Sequence, residues 1–377
     1  MEKKRVCIFC ETWESGGIES FLHSVLQHLD YDKLRVDIVT ACQKKSIFTE
    51  SLQNLGVRFY ELSGSQHNLS ENHRKFRRLL KENRYDVIHL NIFQGVSLYY
   101  AQLAKQAGVS IRIVHSHNTA LRRSSTKPLK LLIHHIAKEL FSGAATNLWA
   151  CSSAAAAFLF PPNLLREKGF MFIPNGIDTE KFRFDPTTRG SVRAELGLQD
   201  TFVVGNVGRL CYQKNQDFLL EIFAEIYIQR PDSRLLLIGE GEDRVILEKK
   251  AAALGIENAV IFYGVSANVE QLLWAMDAFV FPSRFEGLGI AAVEAQAAGL
   301  PCICSEQIPK EARLTDGVLT LALDAGAKVW AKSILEQDCR ADRFCGNLAV
   351  SKAGFAIQNV ACQIQQEYMR ASSYGGT

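Results

Sequence analysis

Short apolar runs recur along this chain, most of them separated by stretches with helical spacing. Arg5–Phe9, Val36–Ala41, Val57–Leu62, Val87–Leu90, Ile111–His115 and Leu148–Cys151 have the length and residue types of buried strands. Phe202–Val207, Leu235–Gly239, Val260–Tyr263, Ala278–Phe281 and Cys302–Cys304 repeat the pattern in the second half. Behind the first strand, Phe21, Leu22, Val25, Leu26 and Leu29 share one face of a predicted amphipathic helix. Strand alternating with helix predicts an α/β protein with parallel, doubly wound sheets. Proline and glycine at Ile173-Pro174-Asn175-Gly176 mark a turn, and a boundary is placed near residue 176. The polar segment Asp185 to Gly190 completes the linker. A chain of 377 residues is long enough for two domains, each with its own core.

The stretch Phe281 to Pro301, FPSRFEGLGIAAVEAQAAGLP, concentrates the chemistry. A buried strand leads into a short turn with Gly287 and Gly289, then into an Ala-rich helix that stops at Gly299-Leu300-Pro301. This geometry leaves backbone N–H groups aimed at an anion. Glu286 and Glu294 bracket the turn. A carboxylate beside a phosphate site repels phosphate, so these two are expected to accept hydrogen bonds from hydroxyls. The implied ligand carries both phosphate and sugar hydroxyls. A second loop, Gly208 to Gln216, follows the strand Phe202–Val207 and presents Arg209 and Lys214. Two cations there can clamp a diphosphate, Arg as a fork and Lys as a point charge; surface salt bridges are the other reading. Gly16 and Gly17, after the first strand, let backbone approach a ligand closely. The G-x-G-x-x-G fingerprint is absent, which disfavours a dehydrogenase. His89 and the run His115-Ser116-His117-Asn118 fall at strand ends, where open α/β sheets bind ligands; Glu11, Trp13 and Asn91 are further candidates to line a cleft.

The phrase PS-x-x-EG-x-G-x-x-x-x-E-A-x-A-x-G-x-P resembles the donor-binding motif of the retaining glycosyltransferases of family 4, which have the GT-B fold. IPNGIDTEKF resembles that family's interdomain connection, and G-R-L-x-x-x-K-N its pyrophosphate-binding loop. The resemblance implies two Rossmann-like domains facing across a cleft. Residues 1–175 form the acceptor side, 176–356 bind the donor, and a last helix at about 357–371 packs back on the first domain. It implies donor contacts at Gly16, Gly17, Arg209, Lys214, Val265, Glu286, Gly287, Leu288, Gly289, Ile290 and Glu294, with Val265 in a turn that meets the nucleobase through backbone. His117, with His115 as its rival, matches a histidine that contacts the donor sugar. His117, Glu286, Arg209 and Lys214 are the residues expected to carry catalysis. Glu294 is assigned the ribose hydroxyls and Glu286 the sugar.

The implied reaction moves a sugar, with retention, from a nucleotide-sugar to a saccharide or polyprenyl-linked acceptor. Leaving-group charge would be stabilised electrostatically, and front-face attack fits because no glycosidase-type nucleophile is evident. No Asp-x-Asp motif is seen near the cleft, so neither metal nor other cofactor is expected. The chain departs from the commonest pattern after Cys302–Cys304, where SEQIPKEARLTDG replaces a Gly-Gly turn. That variant, with Glu311 and a helix at Trp330-Ala331, resembles the bacterial exopolysaccharide and capsule subgroup and points to a UDP-sugar. A GT-B nucleotide-sugar epimerase and a non-catalytic sugar-nucleotide scaffold remain alternatives. Product analysis without acceptor separates the first, and donor binding without turnover the second.

Charge adds one feature. Residues 1–175 carry 23 Lys and Arg against 14 Asp and Glu, and the rest 20 against 26. The excess gathers in His73 to Arg84, an amphipathic pattern with Phe76, Leu79 and Leu80 on one side, and at Arg122, Arg123, Lys127 and Lys130. Such a face can sit against anionic lipid; a solvated helix is the alternative. The segment RRSSTKPLKLLIHHIAKEL is basic, then apolar and helical, and in the family this region faces acceptor or membrane. No aromatic residues interleave as nucleic-acid binding needs. The first apolar run, about five residues long, is too short for a signal peptide's core, and no run approaches a membrane span. A cytoplasmic protein, peripheral at the inner face of a membrane, is expected. The ten cysteines, Cys7 and Cys10 at CxxC spacing among them, read as buried thiols. The terminal SSYGGT is expected to be disordered.

Overall fold

The computed structural model describes residues 2–14, 16–121, 127–337 and 343–370. Arg122, Arg123, the Lys127 side chain, Cys339 and the SSYGGT tail lie outside the described set. The chain divides into two units, Met1–Ile177 with Ile357–Thr377, and Asp178–Ala356.

The first unit has seven strands: β1 (Lys4–Trp13), β2 (Leu34–Gln43), β3 (Arg58–Glu61), β4 (Val87–Ile92), β5 (Ile111–Ser116), β6 (Asn147–Ala150) and β7 (Met171–Phe172). They form one sheet in the order β3-β2-β1-β4-β5-β6-β7, every pair parallel. The order reverses between β1 and β4, the switch point at which such sheets bind ligands. β1 runs past its apolar core because its ladder with β2 continues to Trp13 opposite Gln43. Trp13 is fully buried and its indole N–H donates to Thr49 Oγ1 at 3.1 Å. It is a core residue and lines no cleft, contrary to the expectation from its place at a strand end.

The helix Ile357–Met369 completes this core. Ile357, Val360, Ala361, Ile364 and Tyr368 are buried beside Val6, Ile8 and Trp149. Its first N–H donates to the Ile177 carbonyl at 2.8 Å, and Gln365 Oε1 accepts from the Asp30 N–H at 2.7 Å. Another helix, Lys127–Phe141, is inverted. His134 and Lys138 face inward; His134 Nδ1 accepts from the Gly95 N–H at 2.8 Å, and Lys138 Nζ donates to the Phe158 carbonyl at 3.0 Å. Leu129, Leu132, Ile133, Ile136 and Leu140 face solvent.

The second unit carries β8 (Phe202–Val207), β9 (Ser233–Ile238), β10 (Val260–Gly264), β11 (Ala278–Phe281), β12 (Cys302–Ser305) and β13 (Val318–Leu321), ordered β10-β9-β8-β11-β12-β13 and again all parallel. β8 and β11 are central neighbours, so the loops leaving their C-terminal ends meet. The variant segment after β12 is pinned by buried Gln296. Its Oε1 accepts from the Leu314 N–H at 2.7 Å, and its Nε2 donates to the Ala312 carbonyl at 2.8 Å.

The cysteines differ from the expectation. Cys7, Cys10, Cys151, Cys302 and Cys304 are buried thiols, but Cys42 and Cys211 are half-buried and Cys345 and Cys362 are exposed. The exposed two lie outside the strands that bury most of the others.

Ile364 is fully buried. Ile364→Ala is expected to cost about 2–4 kcal/mol. Urea denaturation read on the first unit checks this, and an unchanged midpoint would refute the docking of the last helix.

Candidate functional site

The C-terminal ends of β8, β9 and β10 are laced together by backbone. The Gly208 N–H donates to the Ile238 carbonyl at 2.9 Å, Leu210 N–H to the Glu240 carbonyl at 3.1 Å, and Gly239 N–H to the Gly264 carbonyl at 2.8 Å. A Cβ on Gly239 would lie 2.1 Å from the Gly208 carbonyl oxygen, and one on Gly241 2.1 Å from that of Leu210. Only glycine lets these turns approach so closely.

The loop after β8 is then tied to the loop after β11. Asn215 adopts a left-handed conformation with φ 59° and donates from Nδ2 to the Pro282 carbonyl at 3.0 Å. The Arg284 N–H donates to the Gln213 carbonyl at 2.8 Å, and Gln213 Nε2 to the Phe285 carbonyl at 3.1 Å. These links seat Lys214 Nζ 2.7 Å from Glu286 Oε1, with side chains only 17% and 6% exposed. The ammonium also lies over the Phe281 ring, 4.7 Å from its centroid. Gly289, with φ 89°, then opens the helix Ile290–Ala297, and no side chain caps it. A cation, a carboxylate and an uncapped helix start therefore converge, with Gly287, Leu288 and Ile290 around the turn. Ser283 Oγ and Asn215 Oδ1, buried close by in sequence, have no protein hydrogen-bond partner.

Arg209 does not join them. Its Nε pairs with Glu242 Oε2 at 2.9 Å, both side chains about half exposed. The expected two-cation clamp thus has one member seated and one on the surface. Glu294 is partly buried. Burial pushes its carboxyl up from 4.5 to about 7; Lys181 and Lys214 oppose the shift and Glu270 adds to it. The Val265 side chain is 78% exposed.

In the first unit His89 is buried in the middle of β4, not at its end as expected, because the strand runs on to Ile92; His115 and His117 are buried at the C-terminal end of β5. His89 Nδ1 and the Tyr368 hydroxyl hydrogen-bond at 2.6 Å, and His89 Nε2 and His115 Nδ1 at 3.2 Å. His117 Nε2 pairs with Asn91 Oδ1 at 2.9 Å, the Asn175 side chain also acts on the His117 ring, and Asn91 Nδ2 makes no hydrogen bond of good geometry. Burial drives His117 down to about 4 and His89 to about 3, so both rings are neutral at pH 7. Glu11 is also buried, and holds a loop: it accepts from Ser97 Oγ at 2.6 Å and from the Phe93 N–H at 3.1 Å.

Gly16 and Gly17 open the helix Gly17–Leu26, but a residue the sequence reading passed over stands there. Glu19 is 2% exposed, and a Cβ on Gly16 would meet its Oε2 at 2.5 Å. Burial raises its carboxyl to about 7, against stabilisation from the backbone amides of Glu19, Gly16 and Glu14. Of the glycine pair, the Gly16 backbone is the one that faces this carboxylate. An acid three residues after a helix cap was the available signal. Among the described residues no three His, Cys, Asp or Glu side chains group as a metal site, and no helix is long and apolar enough to cross a membrane.

Comparison with known proteins places this architecture. The structure aligns with that of HepE from Anabaena, solved with UDP and glucose, at a TM-score of 0.77 and 21% identity, covering 96% of this chain and 98% of that one. It aligns with WaaG, a glycosyltransferase involved in lipopolysaccharide biosynthesis, at a TM-score of 0.66 and 17% identity, covering 96% and 95%. Two Rossmann-like units with parallel sheets make this an α/β protein of the GT-B class. Residues 15–181 match the family model Glycosyltransferase Family 4, and residues 189–318 the model Glycosyl transferases group 1. The putative glycosyltransferase EpsF of Bacillus subtilis is 32% identical over 339 residues, 88% of this chain and 87% of its own length. An Escherichia coli UDP-Gal:alpha-D-GlcNAc-diphosphoundecaprenol alpha-1,3-galactosyltransferase is 30% identical over 235 residues, 60% of this chain and 59% of its own. The chain belongs to this glycosyltransferase family.

Because the folded protein holds the Glu294 proton up to about 7 against an ordinary 4.5, it loses stability as pH rises through that window. Glu294→Gln is expected to raise the stability of the ligand-free protein by about 1–2 kcal/mol at pH 8, after allowance for solvent screening, and by almost nothing near pH 4.5. Melting curves of both proteins at the two pH values check the sign.

Proposed function

We propose that this glycosyltransferase moves a sugar from a UDP-sugar to a saccharide or lipid-linked saccharide, with retention and without a metal, in the synthesis of a surface polysaccharide. The observation that carries the reading is the Lys214–Glu286 pair beside the uncapped start of Ile290–Ala297. A sugar diphosphate matches both halves: phosphate exchanges for Glu286 at Lys214 and meets the helix N–H groups, and a sugar hydroxyl donates to the carboxylate so released. The UDP bound by HepE supports the base, and the undecaprenol-linked acceptor in the Escherichia coli relative's name supports a lipid-linked acceptor.

In the proposed step the bond from anomeric carbon to phosphate oxygen breaks as the acceptor oxygen bonds that carbon on the same face. The acceptor proton passes to the departing diphosphate. Lys214 and the helix N–H groups stabilise the growing charge, and Arg209 adds to them on exchanging Glu242 for phosphate. Glu294 holds ribose hydroxyls, Glu286 the sugar, and the backbone at Val265 the base.

For access to a lipid-linked acceptor we propose an anionic membrane surface as partner of the first unit. Arg74, Arg77, Arg78 and Lys81 line one groove with Ser70 and Tyr99, and Arg77 donates to the Tyr99 hydroxyl at 3.2 Å. Tyr99 packs against Phe141 at the end of the inverted helix, ring centroids 5.0 Å apart. Cations and an exposed apolar ridge thus adjoin, the combination that binds anionic bilayers.

Thermal-shift titration tests the donor. UDP at about a hundred times its Kd is expected to add about 2.7 kcal/mol of stability, unchanged by EDTA. Lys214→Ala is expected to lower kcat/KM by about 10²–10³, Arg209→Ala to raise donor KM and slow turnover, and Glu286→Gln to slow transfer. No shift with any nucleotide at millimolar concentration would overturn the reading. Cosedimentation tests the membrane: binding should require anionic vesicles, fall with salt, and weaken in Leu132→Ser/Ile136→Ser. Equal binding to neutral vesicles would refute the charge argument.

A further inference from the structure

The segment that opens the second unit carries a cation the site above does not use. Lys181 places Nζ 3.2 Å from Glu270 Oε2 and 3.4 Å from the Ala267 carbonyl oxygen. These two partners lie at the end of the turn 264–268 and in the first turn of the helix Val269–Ala275 that follows it. Glu270 is 5% exposed, and its Oε2 has the ion pair with Lys181 but no hydrogen bond of good geometry. A carboxylate so placed loses hydration without full compensation. Lys181 is its partner, although the lysine side chain itself is 46% exposed.

Glu294 is the third member of the group. The charges facing it are Lys181 from the segment after residue 177, Lys214 from the loop after β8, and Glu270 from the helix Val269–Ala275. Lys214 is already committed to Glu286 at 2.7 Å. Of the two cations that act on Glu294, Lys181 has the larger effect, and it is the one that also pairs with Glu270.

We propose that Lys181 is a positioning residue for the donor nucleotide, tying the turn 264–268 in place and, with Glu270, balancing the charge around Glu294. The inference rests on the donor-site reading of Val265 and Glu294 given above. Without the Lys181 charge, Glu270 loses its ion-pair partner, the ionised form of Glu294 is disfavoured, and a ribose hydroxyl meets a neutral, weaker acceptor. Without the Glu270 charge, Glu294 ionises more readily and the effect reverses.

The test is calorimetric titration with UDP and with GDP from about pH 5.5 to 8.5, on wild type, Lys181→Met, Lys181→Arg and Glu270→Gln. Circular dichroism melts confirm that each variant is folded. Lys181→Met is expected to weaken nucleotide binding about tenfold at pH 7 and to move the acid limb of the binding profile up by about one pH unit. Lys181→Arg keeps the charge and should stay within about threefold of wild type. Glu270→Gln should move the acid limb down. That opposite shift keeps the proposal falsifiable if Lys181→Met does not fold. An acid limb unmoved in both Lys181→Met and Glu270→Gln, or equal losses in Lys181→Arg and Lys181→Met, would overturn the proposal. Wild-type protein that binds neither nucleotide overturns the donor-site reading itself, and this inference with it; wild-type binding with unmoved limbs overturns this inference alone.

Discussion

Lys214 and Glu286 are each costly to remove from water, and each is removed from it against the other, at 2.7 Å. Much of the second unit keeps that pair in contact. The strand order makes β8 and β11 neighbours. Asn215, Gln213 and Arg284 tie their loops, and the glycines at 239 and 241 let the adjoining turns close up. An ion pair of this kind is stable only while both members lack better partners. On the proposed reading, a ligand with phosphate at one end and hydroxyls at the other would supply a better partner to each, and the pair holds the two groups in place beforehand.

Sequence periodicity was most informative where burial is complete. β11 begins and ends where its four apolar residues do, and the βα loops after β8 and β11 were recognisable from glycines, cations and acids in their order. The edge strands β7 and β13 were not legible, although β3 and β10 at the opposite edges were. β7 has two half-buried residues and β13 has none fully buried, so neither contrasts with its flanks. Direction was also hidden. Arg209 sits in the expected loop, but its long side chain turns to Glu242, a choice made by tertiary neighbours. Glu19 was missed because attention fell on the glycine pair's freedom of approach, whereas the acid three residues after Gly16 folds back against it. The meeting of Lys181 with Glu270 joins two ordinary charged residues far apart in the chain, and no local pattern announces it.

The helix Lys127–Phe141 makes a related point about amphipathicity. Its spacing tells which residues share a face but not which face turns inward. The usual assignment fails because His134 and Lys138 find fixed acceptors and donors inside, at Gly95, Ala157 and Phe158. Satisfied polar groups can anchor a helix as well as aliphatic ones, which frees the apolar side for other use.

The return of Ile357–Met369 to the first sheet has a consequence for biosynthesis. On the ribosome, residues 1–177 emerge long before the helix that closes their core, and all of 178–356 is made in the interval. The second unit is contiguous in the chain and can finish folding as soon as it emerges. The first must wait with Val6, Ile8 and Trp149 uncovered until Ile357–Met369 is synthesised. Translation therefore fixes the order of maturation: the second unit is completed first, and its elder neighbour is sealed only once the helix Ile357–Met369 has been made.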